Sequence, residues 1–123
     1  MVLVDTSIWI DHFRNRVTLL EDLLHSGEVA THPFIVGELA CGNMKNRTEI
    51  LKLLSALPTL ETVTHEEALH FVKAQALHGK GIGWVDVHLL ASSLLNGVPL
   101  WSRDKRLNAL AKALGIGEEA VTG

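Results

Sequence analysis

Short apolar runs alternate with longer stretches whose apolar residues recur at helical spacing. Val2-Leu3-Val4 is a continuous apolar run, the pattern of a parallel strand buried on both faces. Asp5-Thr6-Ser7 follows, three good helix N-caps, and predicts a helix through about Phe13. Between Val17 and His25, Leu19, Leu20, Leu23 and Leu24 form a helical stripe that Gly27 closes. Glu28–Thr31 reads as a second strand. Pro33 then suits the first turn of a helix running to Cys41, with Gly42 as its stop. Ile50, Leu51, Leu53, Leu54 and Leu57 mark another amphipathic helix, ended by Pro58. Leu60–Val63 is a third strand candidate, and Thr64 caps a helix from His65 to His78. Gly79, Gly81 and Gly83 make a flexible connection to Trp84–Leu95, nearly all apolar and expected to be a central buried helix. Asn96-Gly97 ends it, Val98–Ser102 is a fourth strand, and Asp104 starts a last helix through Leu114.

Strands separated by helices predict an α/β fold, a three-layer α/β/α sandwich around a central parallel sheet of four to five strands. The fifth would be a short edge strand at Ala120 and Val121. In such sheets ligands bind outside the carboxyl ends of the strands. Asp5, after the first strand, and Asp104, after the fourth, are therefore expected at one edge.

Composition narrows the class. The chain has 123 residues, the size of one domain, and is 47% hydrophobic and 20% charged, which excludes a disordered tail protein. A single cysteine, Cys41, excludes an intramolecular disulfide framework and multi-cysteine zinc sites. No apolar run approaches ~18 residues, so no membrane-spanning helix is expected. The segment MVLVDTSIW lacks the basic and long apolar regions of a signal peptide, which makes the cytoplasm the expected location. A formal charge of -3 argues against a passive nucleic-acid coat protein, usually basic. It leaves open an enzyme that meets phosphates through bound metal ions. Positive charge is gathered at Arg14 with Arg16, at Lys45 with Arg47, and at Arg103, Lys105 and Arg106. These are solvated surfaces or a rim that contacts phosphates.

The acids carry the candidate chemistry. Asp5, Glu38, Asp86 and Asp104 each stand in an otherwise apolar stretch, and each can reach the same end of the sheet. Singly, Asp5 and Asp104 read as N-caps, Asp86 as a first-turn acid favoured by the helix dipole, and Glu38 as a solvated side chain. Together they would repel one another and could not all stay ionised without a cation among them. Oxygen-only ligands favour magnesium or manganese, which suits phosphoryl chemistry.

Competing motifs are weaker. His65-Glu66-Glu67-Ala68-Leu69-His70 is close to H-E-x-x-H, but its histidines are five apart and diverge by about 140° round a helix. His88, two residues from Asp86, faces away from it as a packed or surface residue. Cys41 reads as a core residue. Trp9, Trp84 and Trp101 each lie in an apolar stretch and are expected in the core. A receiver domain would need an Asp after the third strand, and a haloacid-dehalogenase-like phosphatase a second Asp at position 7, where Ser stands.

DTSIWID at 5–11, GELACG at 37–42, WVDVHLLASSLL at 84–95 and LWSRDKRL at 100–107 resemble the four motif blocks of PIN-domain ribonucleases, closest to VapC-type toxins. The blocks cover nearly the whole chain in order, implying a single PIN domain over residues 1–123. The resemblance makes Asp5, Glu38, Asp86 and Asp104 the four site acids and metal ligands for Mg2+ or Mn2+. It makes Ser7 and Ser102 supporting hydroxyls beside them. It implies metal-dependent cleavage of RNA, a homodimer, and inhibition by a cognate antitoxin. Arg103, Lys105 and Arg106 are candidates for contacts to flanking phosphates. A PIN nuclease outside toxin–antitoxin systems and an inactive PIN-like binding module are the alternatives.

Overall fold

In the computed structural model, which describes residues 1–117, Val2–Val4 forms strand β1 at the centre of a three-stranded sheet. Strand β2 (Val29–Ala30) and strand β3 (Leu100–Trp101) flank it in the order β2-β1-β3, all parallel. Val2 pairs with Val29, and Leu3 with both Ala30 and Leu100. Successive strand side chains point to opposite faces, and all three β1 residues are buried, so helices cover both faces of the sheet.

Helices α1 (Thr6–Asn15) and α2 (Thr18–His25) carry the chain from β1 to β2. Helices α3 (Pro33–Cys41), α4 (Arg47–Ala56), α5 (His65–Ala74) and α6 (Trp84–Asn96) carry it back across β1 to β3, and α7 (Lys105–Ala113) follows. Their starts are written locally. His32 Nδ1 accepts the Phe34 N–H ahead of α3, with Pro33 in the first turn. Thr64 and Glu67 form a reciprocal capping box on α5. Glu67 of the H-E-x-x-H-like stretch is thus committed to the helix start, and His65 and His70 stand exposed.

The α/β class and parallel sheet agree with the sequence; the strand count does not. Among the described residues the sheet has three strands, not four or five. The expected strand at Leu60–Val63 is reduced to one parallel bridge between Thr31 and Thr59. Beyond it, Asn96 takes over as partner: its Nδ2 donates to the Glu61 carbonyl at 3.0 Å and its Oδ1 accepts the Glu61 N–H at 3.3 Å. A side-chain amide there occupies the backbone groups a neighbouring strand would use. The strand expected at Ala120 and Val121 lies outside the described residues. Helix α5 also ends at Ala74 rather than His78, where Ala76 adopts a positive φ of 51°.

Two burial expectations are corrected as well. Cys41 is exposed, because α3 buries only the Ile35 and Leu39 stripe and turns Phe34, Gly37, Glu38 and Cys41 outward. Trp84 is 38% exposed, since it occupies the first position of α6, ahead of the fully packed stretch Val87–Ser93. Trp9 and Trp101 are core residues, as expected. Among the described residues no helix is long and apolar enough to cross a membrane.

Candidate functional site

Asp5 ends β1 and occupies the N-cap position of α1, yet its carboxylate makes no capping bond. Its Oδ2 instead accepts the Ser7 and Ser102 hydroxyls, each at 2.7 Å. A hydroxyl has one proton to give, so both serines are committed to Asp5, and the 3.2 Å between their oxygens is a close approach. The backbone N–H groups of Arg103 and Asp104 donate to the Ser7 and Ser102 oxygens at 2.9 and 3.0 Å. The chain after β3 thus holds the two hydroxyls that hold Asp5, a carboxylate only 7% exposed.

Asp104 does cap α7: its Oδ1 accepts the Leu107 N–H at 3.0 Å. Glu38, which on its own reads as a solvated side chain, accepts the Thr6 hydroxyl at 2.7 Å, which ties α3 to the start of α1. Asp86 sits in the first turn of α6. Burial lifts its pKa to about 6, and the negative charges of Asp5, Asp104 and Glu38 push the same way, against a lowering hydrogen bond from the Gly83 backbone. Four acids from four segments therefore share one electrostatic neighbourhood.

Asp5, Glu38 and Asp104 each keep one oxygen on a protein donor, and among the described residues nothing donates to the other. No three His, Cys, Asp or Glu side chains among the described residues converge closely enough to cage an ion as they stand. The acids are neighbours held apart on private hydrogen bonds rather than a collapsed cluster.

Two of the three basic residues at this edge, Arg103 and Arg106, are engaged. Arg103 reaches Asp11 at 3.2 Å and lies over the Trp101 ring, 5.8 Å from its centroid. Arg106 Nη1 donates to the Gly81 carbonyl at 3.4 Å, and Lys105 is exposed. A groove of about 560 Å3 adjoins Glu38, lined also by Ile10, Phe13, Arg14, Leu39 and Lys45.

Sequence reasoning missed Thr6, although a hydroxyl beside Asp5 was a visible signal. It also missed Asn108, whose Nδ2 donates to the Ser102 carbonyl at 2.7 Å and which no pattern distinguished. The rings of His32, Phe34, His88, Trp84 and His65 form a chain of contacts that no linear spacing announces.

The family model described as PIN domain matches residues 2–113. Ribonuclease VapC32 of Mycobacterium tuberculosis, in strains CDC 1551 / Oshkosh and ATCC 25618 / H37Rv, is 44% identical over 117 residues, 94% of this chain and 94% of that protein. The crystal structure of PAE2754 from Pyrobaculum aerophilum superposes with a TM-score of 0.59 at 17% identity, over 93% of this chain and 88% of that one, a likeness of fold.

Proposed function

Since the chain belongs to the PIN-domain family, with VapC-type ribonuclease relatives, we propose that it is a divalent-metal-dependent endoribonuclease acting as the toxin of a toxin–antitoxin pair. The observation that carries this reading is the electrostatic convergence of Asp5, Glu38 and Asp104 on Asp86. Four carboxylates that share one neighbourhood repel one another, and a cation among them relieves that repulsion.

The donor set fits Mg2+ or Mn2+. Every candidate ligand is a carboxylate oxygen, and hard cations of this kind take oxygen. Asp5 and Asp86 are the principal ligands in this reading, and Asp104 and Glu38 complete the site directly or through water. A bound divalent cation supplies Lewis-acid polarisation of the phosphodiester and lowers the pKa of a ligated water. The protein does the positioning. Ser7 and Ser102 fix the Asp5 carboxylate through Oδ2 and leave Oδ1 without a protein donor among the described residues. The α7 cap does the same for Asp104, and Thr6 for Glu38. The reaction is hydrolysis: water adds to phosphorus and one phosphoester bond breaks.

The antitoxin has a natural seat in the groove beside Glu38. Exposed Ile10 and Phe13 offer apolar contact there, and Arg14 and Lys45 suit an acidic segment. A homodimer is assigned to the α5–α6 face, where Leu69, Leu94 and Leu95 are exposed. The site lies in the cytoplasm in this reading, where RNA is available.

The test is cleavage of mixed RNA by purified protein. Activity with Mg2+ or Mn2+, abolished by EDTA and by Asp5→Asn with the fold intact, is expected. Equal cleavage by Asp5→Asn would overturn the reading.

A further inference from the structure

Two aromatic side chains stand at the surface close in the chain to two of the acids, Phe34 one helical turn before Glu38 and Trp84 two residues before Asp86. Phe34 is 37% and Trp84 38% exposed, whereas Trp9 and Trp101 are 1% and 4% exposed in the core. Both surface rings pack against one buried imidazole, His88, which is 5% exposed. Phe34 meets it at 4.8 Å between centroids and 63°, and Trp84 at 4.9 Å and 81°. His88 itself lies among the packed residues of α6, and His32 supports Phe34 from behind at 5.1 Å. Two rings from different helices are thereby braced on a fixed wedge, with part of each left to solvent.

Their placement relative to the acids is specific. Phe34 precedes Glu38 by four residues, so the two share one face of α3. Trp84 begins α6 two residues ahead of Asp86 and leaves the helix on the other side from that carboxylate. Phe34 thus adjoins Glu38 along α3, and Trp84 stands at the end of α6 that carries Asp86, on the opposite side of that helix from the carboxylate.

Charge bears on what the pair can do. The protein carries -3 overall, and the cations Arg103 and Arg106 are engaged by Asp11 and the Gly81 carbonyl. Lys105, Arg14 and Lys45 keep some phosphate attraction available. Stacking of unpaired bases on aromatic rings adds an attraction that needs no charge.

We propose that Trp84 and Phe34, braced on His88, form a stacking platform for an unpaired base adjacent to the phosphodiester that is cut. The inference rests on the nuclease reading above and adds to it what holds the substrate: a single-stranded segment engaged by base stacking.

The experiment uses a short single-stranded RNA that the wild-type protein cuts, and versions of it with one abasic nucleotide at each position in turn. Trp84→Leu keeps an apolar contact to His88 and removes the aromatic face. It is expected to raise KM about 5- to 100-fold with kcat nearly unchanged, and Trp84→Phe to restore most of the loss. One abasic position near the cut should weaken wild-type cleavage by a similar factor and add nothing in Trp84→Leu. If KM is unchanged in Trp84→Leu while wild type cuts normally, the platform is overturned and the nuclease reading stands. The same holds if every abasic substitution weakens Trp84→Leu as much as wild type. If wild type cuts no RNA with Mg2+ or Mn2+, the nuclease reading falls and the platform with it. Phe34→Leu carries the same comparison should Trp84→Leu fail to fold.

Discussion

Asp86 and His32 set the acid–base character of the metal-free protein, and they pull in opposite directions. Asp86 titrates near 6 in the fold against 3.8 as a free side chain, so its ionisation is penalised as pH rises through about 6. Burial and the charge of His88 lower His32 to about 4 from 6.5, so its penalty grows as pH falls from 6.5 towards 4. Stability without metal is therefore expected to change little across this window, and substitution separates the two. Asp86→Asn should stabilise the EDTA-treated protein at pH 7.5 by up to ~3 kcal/mol, with no such gain at pH 3.5, while abolishing cleavage. Thermal melts at the two pH values check this; an unchanged or lower melting temperature at pH 7.5 would contradict it. Ser7→Ala and Ser102→Ala should each lower activity about 10- to 100-fold by freeing Asp5 from its bracing, read as an increased Mg2+ requirement. The four acids drew attention in the sequence because each interrupts an apolar stretch. The partners that orient them did not, because Thr6 and Asn108 reach their targets only through tertiary packing.

Among the elements, the link between α7 and the loop before α6 is the most exacting. Gly81 has a φ of +78°, and a Cβ there would lie 2.7 Å from Arg106 Nη1. Gly81→Ala should cost about 1 kcal/mol from the backbone alone and displace the guanidinium. Because this loop delivers the first turn of α6, and with it Asp86, cleavage should fall as well. A melting curve and a cleavage assay on the same preparation check both. Elements with a strong local signature were read correctly where that signature lies: β1 from its unbroken apolar run, α3 from its proline, the start of α5 from its capping threonine. The Leu60–Val63 strand was misread because its deciding partner, Asn96, is 35 residues away from Glu61. The outward face of α3 was equally unreadable. Seven of the nine residues in PFIVGELAC are neither charged nor glycine, so no polar stripe marked which side would face water.

For the whole molecule, the unpaired apolar face along α5 and α6 predicts association. Leu95, 54% exposed, adjoins a shallow groove formed with Val63, Phe71, Ala91 and Leu94. Leu95→Glu is expected to convert a dimer to a monomer in light scattering behind size exclusion, with the melting temperature of the protomer nearly unchanged. A wild-type protein that runs as a monomer at all concentrations would remove that assignment.

The hydrogen bond from Ser102 to Asp5 joins positions 97 residues apart, and β1 completes its second edge only when Leu100 and Trp101 arrive. During synthesis the ribosome must release the segment through Asp104 before Asp5 and Asp104 can meet. A nascent chain that stalls or is truncated before that segment holds three of its acids and none of the bracing from Ser102. For a protein whose activity would damage the RNA of the cell translating it, this late closure postpones danger until that segment has emerged.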